Sequence, residues 1–163
     1  VELLNKKGIK TAVTGHDKFK NDVNEADAKV VIEVRVPAQV DDAAGKTEAS
    51  TVLEKEDTVA IYGSNEFAAK AIINANGGFK ESKLGADKIL AVGFDSGALQ
   101  QDAIRKGIFV GSVTQDPVQI GYQAVKLAIA AAKGETVKDV DTGSKWYDAK
   151  NIDSEEIKAL LYE

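Results

Sequence analysis

Cysteine is absent from this chain, and so is methionine. Without thiols there can be no disulfide, no zinc–thiolate site and no cysteine nucleophile. That lack suits an oxidising compartment. A single histidine, His16, excludes a histidine-rich metal site. There is no G-x-S-x-G elbow, and nothing in the order of residues assembles a nucleophile, a base and an oxyanion hole. The glycines of "ANGG" follow a helix pattern rather than open one, so they do not cradle phosphate. An enzyme on a flavodoxin-like sheet is therefore the weakest reading, and no cofactor is implied. With a formal net charge of -5 and no basic stripe, the chain is not built to neutralise nucleic-acid phosphates. No apolar run reaches membrane-span length, since "AVKLAIAAAKG" is broken by Lys126. The start at Val1 and the missing methionine read as a fragment, with "VELLNKKG" the last turns of a helix.

What is present is a globular balance, 44% hydrophobic and 29% charged over 163 residues. This is enough for one domain with a stable core. Apolar strands and helical segments alternate. "IKTAVTG" reads as a strand, and "HDKFKNDVNEAD" as a thin helix with Phe19 and Val23 on one stripe. "AKVVIEVRVP" is an alternating strand ended by Pro37. Residues 41–55 form a helix with the Asp41–Asp42 pair at its N-terminus. "TVAIYGSN", "KILAVGFDSG" and "IFVGSVTQDP" are further strands, followed by helices stopped at Gly77–Gly78, Gly107 and Gly134 respectively. Their nearly continuous apolar runs fit strands buried on both faces. The expected fold class is α/β, a doubly wound, mostly parallel sheet with helices on both faces.

In such sheets ligands sit beyond the carboxyl ends of the strands. Asn65, Asp95 and Gln115 fall there. Two carboxamides and a carboxylate supply the mixture of donors and acceptors that a polyhydroxylated ligand needs. A sugar or polyol is the natural candidate. The competing use is structural, because Asn and Asp ahead of a helix are common N-caps worth about 1 kcal/mol. Gln115 fits that use poorly, with Pro117 two residues on. His16 reads as a surface-loop residue, Asp41–Asp42 as a solvated helix start. Trp146–Tyr147 could stack on a sugar face or pack at a sheet edge. After Gly134 the alternation stops, and "ETVKDVDTGSKWYDAKNIDSEEIKALLYE" reads as an extended piece plus a short helix capped by Asp153 or Ser154.

"AIYGSNEFAAKAI", "ILAVGFDSGALQQDAIRKG", "VTQDPVQIGYQAVKLAI" and "DTGSKWYDAKNID", in that order, resemble the periplasmic sugar-binding proteins of the ribose/galactose type. These are the solute receptors of bacterial ABC importers. The resemblance runs from about Val30 to the C-terminus and implies one lobe of a type I periplasmic binding protein, the C-terminal one. It implies residues 1–137 as that ligand-binding lobe. Residues 138–163 become a hinge-crossing strand and terminal helix that contact a missing N-terminal lobe. Carried over, the sugar contacts match Asn65, Asp95 and Gln115. The implied partners are a pentose, hexose or polyol, the N-terminal lobe of the same receptor and a membrane permease, in the periplasm or outside the cell.

The family's arginine after the first strand is missing from "TGHDKFKNDV", where Lys18 is the substitute. Its aromatic before the acidic pair falls on Val40, beside Asp41. Two alternatives remain: the effector domain of a sugar-responsive repressor, and an isolated or engineered lobe with little binding of its own. An isolated lobe would expose apolar surface and self-associate.

Overall fold

The computed structural model describes residues 1–162. The chain separates into two compact units, Val1–Ala44 and Gly45 onward.

In the first unit, α1 (Glu2–Lys6) leads into β1 (Thr11–Thr14), which pairs in parallel with β2 (Val30–Glu33). β2 stops short of Pro37. The helix expected between them does not form. Residues 16–24 run through turns and bends into a single 3-10 turn, Glu25–Asp27, capped by Asn24. Phe19, placed with Val23 on a helical stripe by its spacing, is 56% exposed. The reason lies in Asn21: its Oδ1 accepts from Val13 N–H and its Nδ2 donates to Thr11 O, both at 3.0 Å. Those two groups lie on the side of β1 away from β2. One carboxamide thus stands in for a neighbouring strand and overrides a weak helical stripe.

In the second unit, the order of strands is β3 (Ala60–Tyr62), β4 (Leu90–Phe94), β5 (Gly111–Gln115), β6 (Ser144–Tyr147). The first three are parallel and β6 is antiparallel to β5. The strands thus form two sheets, not one. Around this second sheet lie α2 (Asp42–Leu53, its body from Gly45), α3 (Glu66–Ala75), α4 (Ala98–Arg105), α5 (Pro117–Ala132) and α6 (Glu155–Lys158).

Alternation along β4 sends Ala91 and Gly93 to one face, where α3 and α4 bury Ala69, Ile72, Ile73, Ala103 and Ile104 against them. Leu90, Val92 and Phe94 point to the other face, with Tyr62 and Trp146, and are only partly covered. β3 is an edge strand with Ala60 and Tyr62 exposed, not the fully buried strand its composition suggested. α5 buries none of its residues.

The segment after Gly134 is built into this unit. Tyr147, Ile152 and Ile157 are core residues beside Phe109 and Ala91. Ser154, not Asp153, caps α6, accepting from Ile157 N–H. Asp153 instead pairs with Arg105 and Lys158 on the surface.

Candidate functional site

The three strand-end residues do different work. Asn65 is the N-cap of α3, its Oδ1 accepting from Ala68 N–H at 2.9 Å. It is exposed, and its amide nitrogen has no bond among the described residues. Gln115 ends β5 with an exposed carboxamide, likewise free of side-chain bonds among the described residues. It is not a cap, because Asp116 caps α5 (Gln119 N–H to Oδ1, 2.8 Å) and Pro117 occupies the first turn, where its missing N–H costs nothing.

Asp95 is the least ordinary. It could have capped its own helix, but Gly97 holds the N-cap position of α4, and no side chain caps that helix among the described residues. Its Oδ2 instead accepts from Glu66 N–H of α3 at 2.9 Å, reaching back to the preceding strand–helix unit. Oδ1 is uncommitted among the described residues. The backbone is left-handed, φ 74°, a conformation that costs a non-glycine residue roughly 1–2 kcal/mol. Asp95 N–H is held by Val113 O at 2.8 Å. Its carbonyl accepts three hydrogen bonds, from Gln100 Nε2 (3.1 Å), Ser112 Oγ (3.0 Å) and Tyr147 OH (2.8 Å). Gln100 Nε2 also donates to Ser112 Oγ and Phe94 O. Burial pushes the Tyr147 phenol up to about 12, so it stays a neutral donor.

Both glycines of "GFDSG" flanking Asp95 leave room for these partners. A Cβ on Gly93 would collide with Gln100 Nε2, and one on Gly97 with the Glu66 carboxylate.

Asp95 and Gln115 line one concavity of about 290 Å³ with Pro117, Ile120 and Tyr162. Tyr162 reaches it because the chain end is strapped over the strand ends. Ser96 and Thr114 donate to Leu160 O (3.3 and 3.4 Å), and Gln101 Nε2 donates to Tyr162 O (2.9 Å). Tyr162 OH lies 3.4 Å from Glu66 Oε2, and burial raises its pKa. Sequence reasoning missed Tyr162, Gln100 and Ser112. Trp146 is not aimed at this concavity. It covers Gly111 at the sheet edge and donates to Asp148.

Lys18, Val40 and Asp41 belong to the first unit. Asp41 Oδ1 accepts from Ala44 N–H at 2.8 Å, a helix-capping role. Val40 is 88% exposed. His16 sits in a turn against Phe19 and accepts from Lys18 N–H. A concavity of about 630 Å³ at the end of β1 is lined by Lys20, Asn21 and Asn24, not by Lys18. Lys20 pairs there with Asp17 at 2.6 Å, and that hydrogen bond raises its pKa.

Residues 4–136 match the family described as the periplasmic binding protein domain. No curated protein matches the chain. Among solved structures, one from Brachyspira murdochii, described as an ABC transporter, LacI family transcriptional regulator, is 35% identical with a TM-score of 0.72. The match covers 99% of this chain and 61% of that one. An ABC transporter solute-binding protein from Agrobacterium vitis, with bound D-fucose, is 26% identical at TM-score 0.72, covering 99% and 59%. A carbohydrate transporter solute-binding protein from Agrobacterium radiobacter, in complex with D-arabinose, shares the fold at 21% identity and TM-score 0.66, covering 99% and 59%. The chain therefore spans about three-fifths of these structures.

Proposed function

Because the chain belongs to the periplasmic binding protein domain family, we propose that it is the sugar-binding C-terminal lobe of an ABC-importer solute receptor, without enzymatic activity. The observation that carries this reading is the meeting of Asp95 and Gln115 in one concavity at the carboxyl ends of adjacent parallel strands. Ligands of open α/β sheets bind at that end. Asp95 Oδ1 accepts a sugar hydroxyl in a charge-assisted bond. Gln115 and Asn65 each donate and accept, and the Pro117–Ile120–Tyr162 wall takes the sugar's apolar face.

The rest of the binding energy comes from an N-terminal lobe that closes over the ligand, and the closed pair docks on a membrane permease outside the cytoplasm. Residues 138–163 would meet that lobe at the hinge side. Each hydrogen bond it supplies is worth about 0.5–1.5 kcal/mol, so this lobe alone binds weakly.

Calorimetry with D-fucose and D-arabinose tests this. We expect saturable heat from the wild type, reduced in Asp95→Asn and Gln115→Ala. Full binding by both variants would reject the site. A second reading, the effector domain of a sugar-responsive repressor, draws on the description of the Brachyspira murdochii structure. The coding sequence upstream distinguishes them: a secretion signal for the receptor, a basic helix-turn-helix for the repressor.

A further inference from the structure

The left-handed backbone at Asp95 needs an explanation that a simple turn does not supply. A glycine would adopt φ 74° without strain. A carboxylate stands here instead, and three side chains from three different elements converge on its carbonyl: Gln100 of α4, Ser112 of β5 and Tyr147 of β6. All three are fully buried. Gln100 is committed so fully through Nε2 that its buried Oε1 has no partner among the described residues, an arrangement that costs stability. Gly93, by lacking a Cβ, vacates the space that Gln100 Nε2 fills. A core made only for stability would place an apolar residue at Gln100. This one keeps a network whose common target is the backbone of a single surface-reaching carboxylate.

We propose that Tyr147, Ser112 and Gln100 are positioning residues: by fixing the Asp95 carbonyl they hold the left-handed backbone that aims its carboxylate into the concavity for a ligand hydroxyl. This rests on Asp95 being a sugar acceptor. They do not touch the ligand. They set the orientation of the group that does, which removes the reorientation cost at binding. Tyr147 is the farthest of the three in sequence, on the antiparallel edge strand, so the tail segment after Gly134 contributes to the site through it.

The test is a double-mutant cycle by calorimetry, with D-fucose as probe, on wild type, Tyr147→Phe, Asp95→Asn and the double variant. The amide signal of Glu66, which donates to Asp95 Oδ2, is followed by NMR in each. Tyr147→Phe should lower affinity roughly fivefold, the worth of one hydrogen bond, and shift the Glu66 amide. In the Asp95→Asn background the same change should cost nothing further. Ser112→Ala gives the same pattern and serves if Tyr147→Phe does not fold. Equal losses in both backgrounds, or an unmoved Glu66 amide, would overturn the positioning role while leaving the sugar site standing. Silence of the wild type towards D-fucose and D-arabinose would instead reject the sugar reading, and this role with it.

Discussion

The phenolic oxygen of Tyr147 lies 2.8 Å from the main-chain oxygen of Asp95, fifty-two residues away in sequence. The bond joins the antiparallel edge strand to the residue on which the proposed site depends. It also couples the fold to pH. The Tyr147 phenol is raised to about 12 in the folded chain, against about 10 when unfolded. A raised acid binds more protons folded than unfolded between those values, so stability is complete below about pH 10 and falls as pH rises towards 12. Urea titrations at pH 9, 10 and 11 should show this decline. Tyr147→Phe should show a shallower one, the remainder belonging in part to Tyr162, which is raised in the same direction. Equal slopes in the two proteins would place the effect elsewhere.

Gly93→Ala drives a methyl group into the Gln100 carboxamide. Overpacking of this kind costs typically 1–3 kcal/mol. Because Gln100 also holds the Asp95 carbonyl, sugar affinity should fall with stability. A variant of wild-type urea midpoint would mean that Gln100 has room to move aside.

Asn65 separates its two roles by chemistry. Asn65→Ala removes the α3 cap and should cost about 1 kcal/mol. Asn65→Ser keeps a capping oxygen but lacks the amide N–H₂ group, so stability should be nearly restored while sugar affinity stays low. Affinity that returns together with stability would reduce Asn65 to a cap.

The strand-end placement of the candidate residues was legible from the sequence, and the limits have physical causes. Strand ends announced Asn65, Asp95 and Gln115 because apolar runs stop there in a polar group. Gln100 carried a signal that went unused: "ALQQDAIR" sets a polar residue on the face shared by Ala103 and Ile104, all three buried. Tyr162 had none, since its place depends on hydrogen bonds from Ser96, Thr114 and Gln101 to a chain end with no periodicity. The helix drawn through Phe19 and Val23 failed because two apolar positions are a weak nucleus, while Asn21 found two backbone groups of β1 to satisfy.

Two isoleucines of the second unit sit at opposite ends of the burial range. Ile104 of α4 is fully buried, and Ile104→Ala should cost roughly 2–5 kcal/mol. Ile129 of α5 is 53% exposed, so Ile129→Ala should lie within about 0.5 kcal/mol of wild type in urea. A large loss at Ile129 would mean that α5 packs against something.

α5 also bears on association. Val118, Tyr122, Val125 and Ile129 recur at helical spacing and are all exposed, Val118 by 69%. We expect the chain to self-associate reversibly, with sedimentation velocity showing a mass that rises with concentration. Val118→Glu with Val125→Lys should shift it towards monomer. A constant monomer mass at every concentration would end the idea.

One side chain in the first unit has a bearing on aggregation. An open strand edge is a template on which any extended peptide can continue a ladder, and fibrils grow from such edges. On β1 the Thr11 carbonyl and Val13 amide that an intruding strand would need are already engaged by Asn21. Asn21 therefore acts as a stopper at those two groups: its carboxamide, folded back along the strand, takes the bonds that foreign backbone would make there.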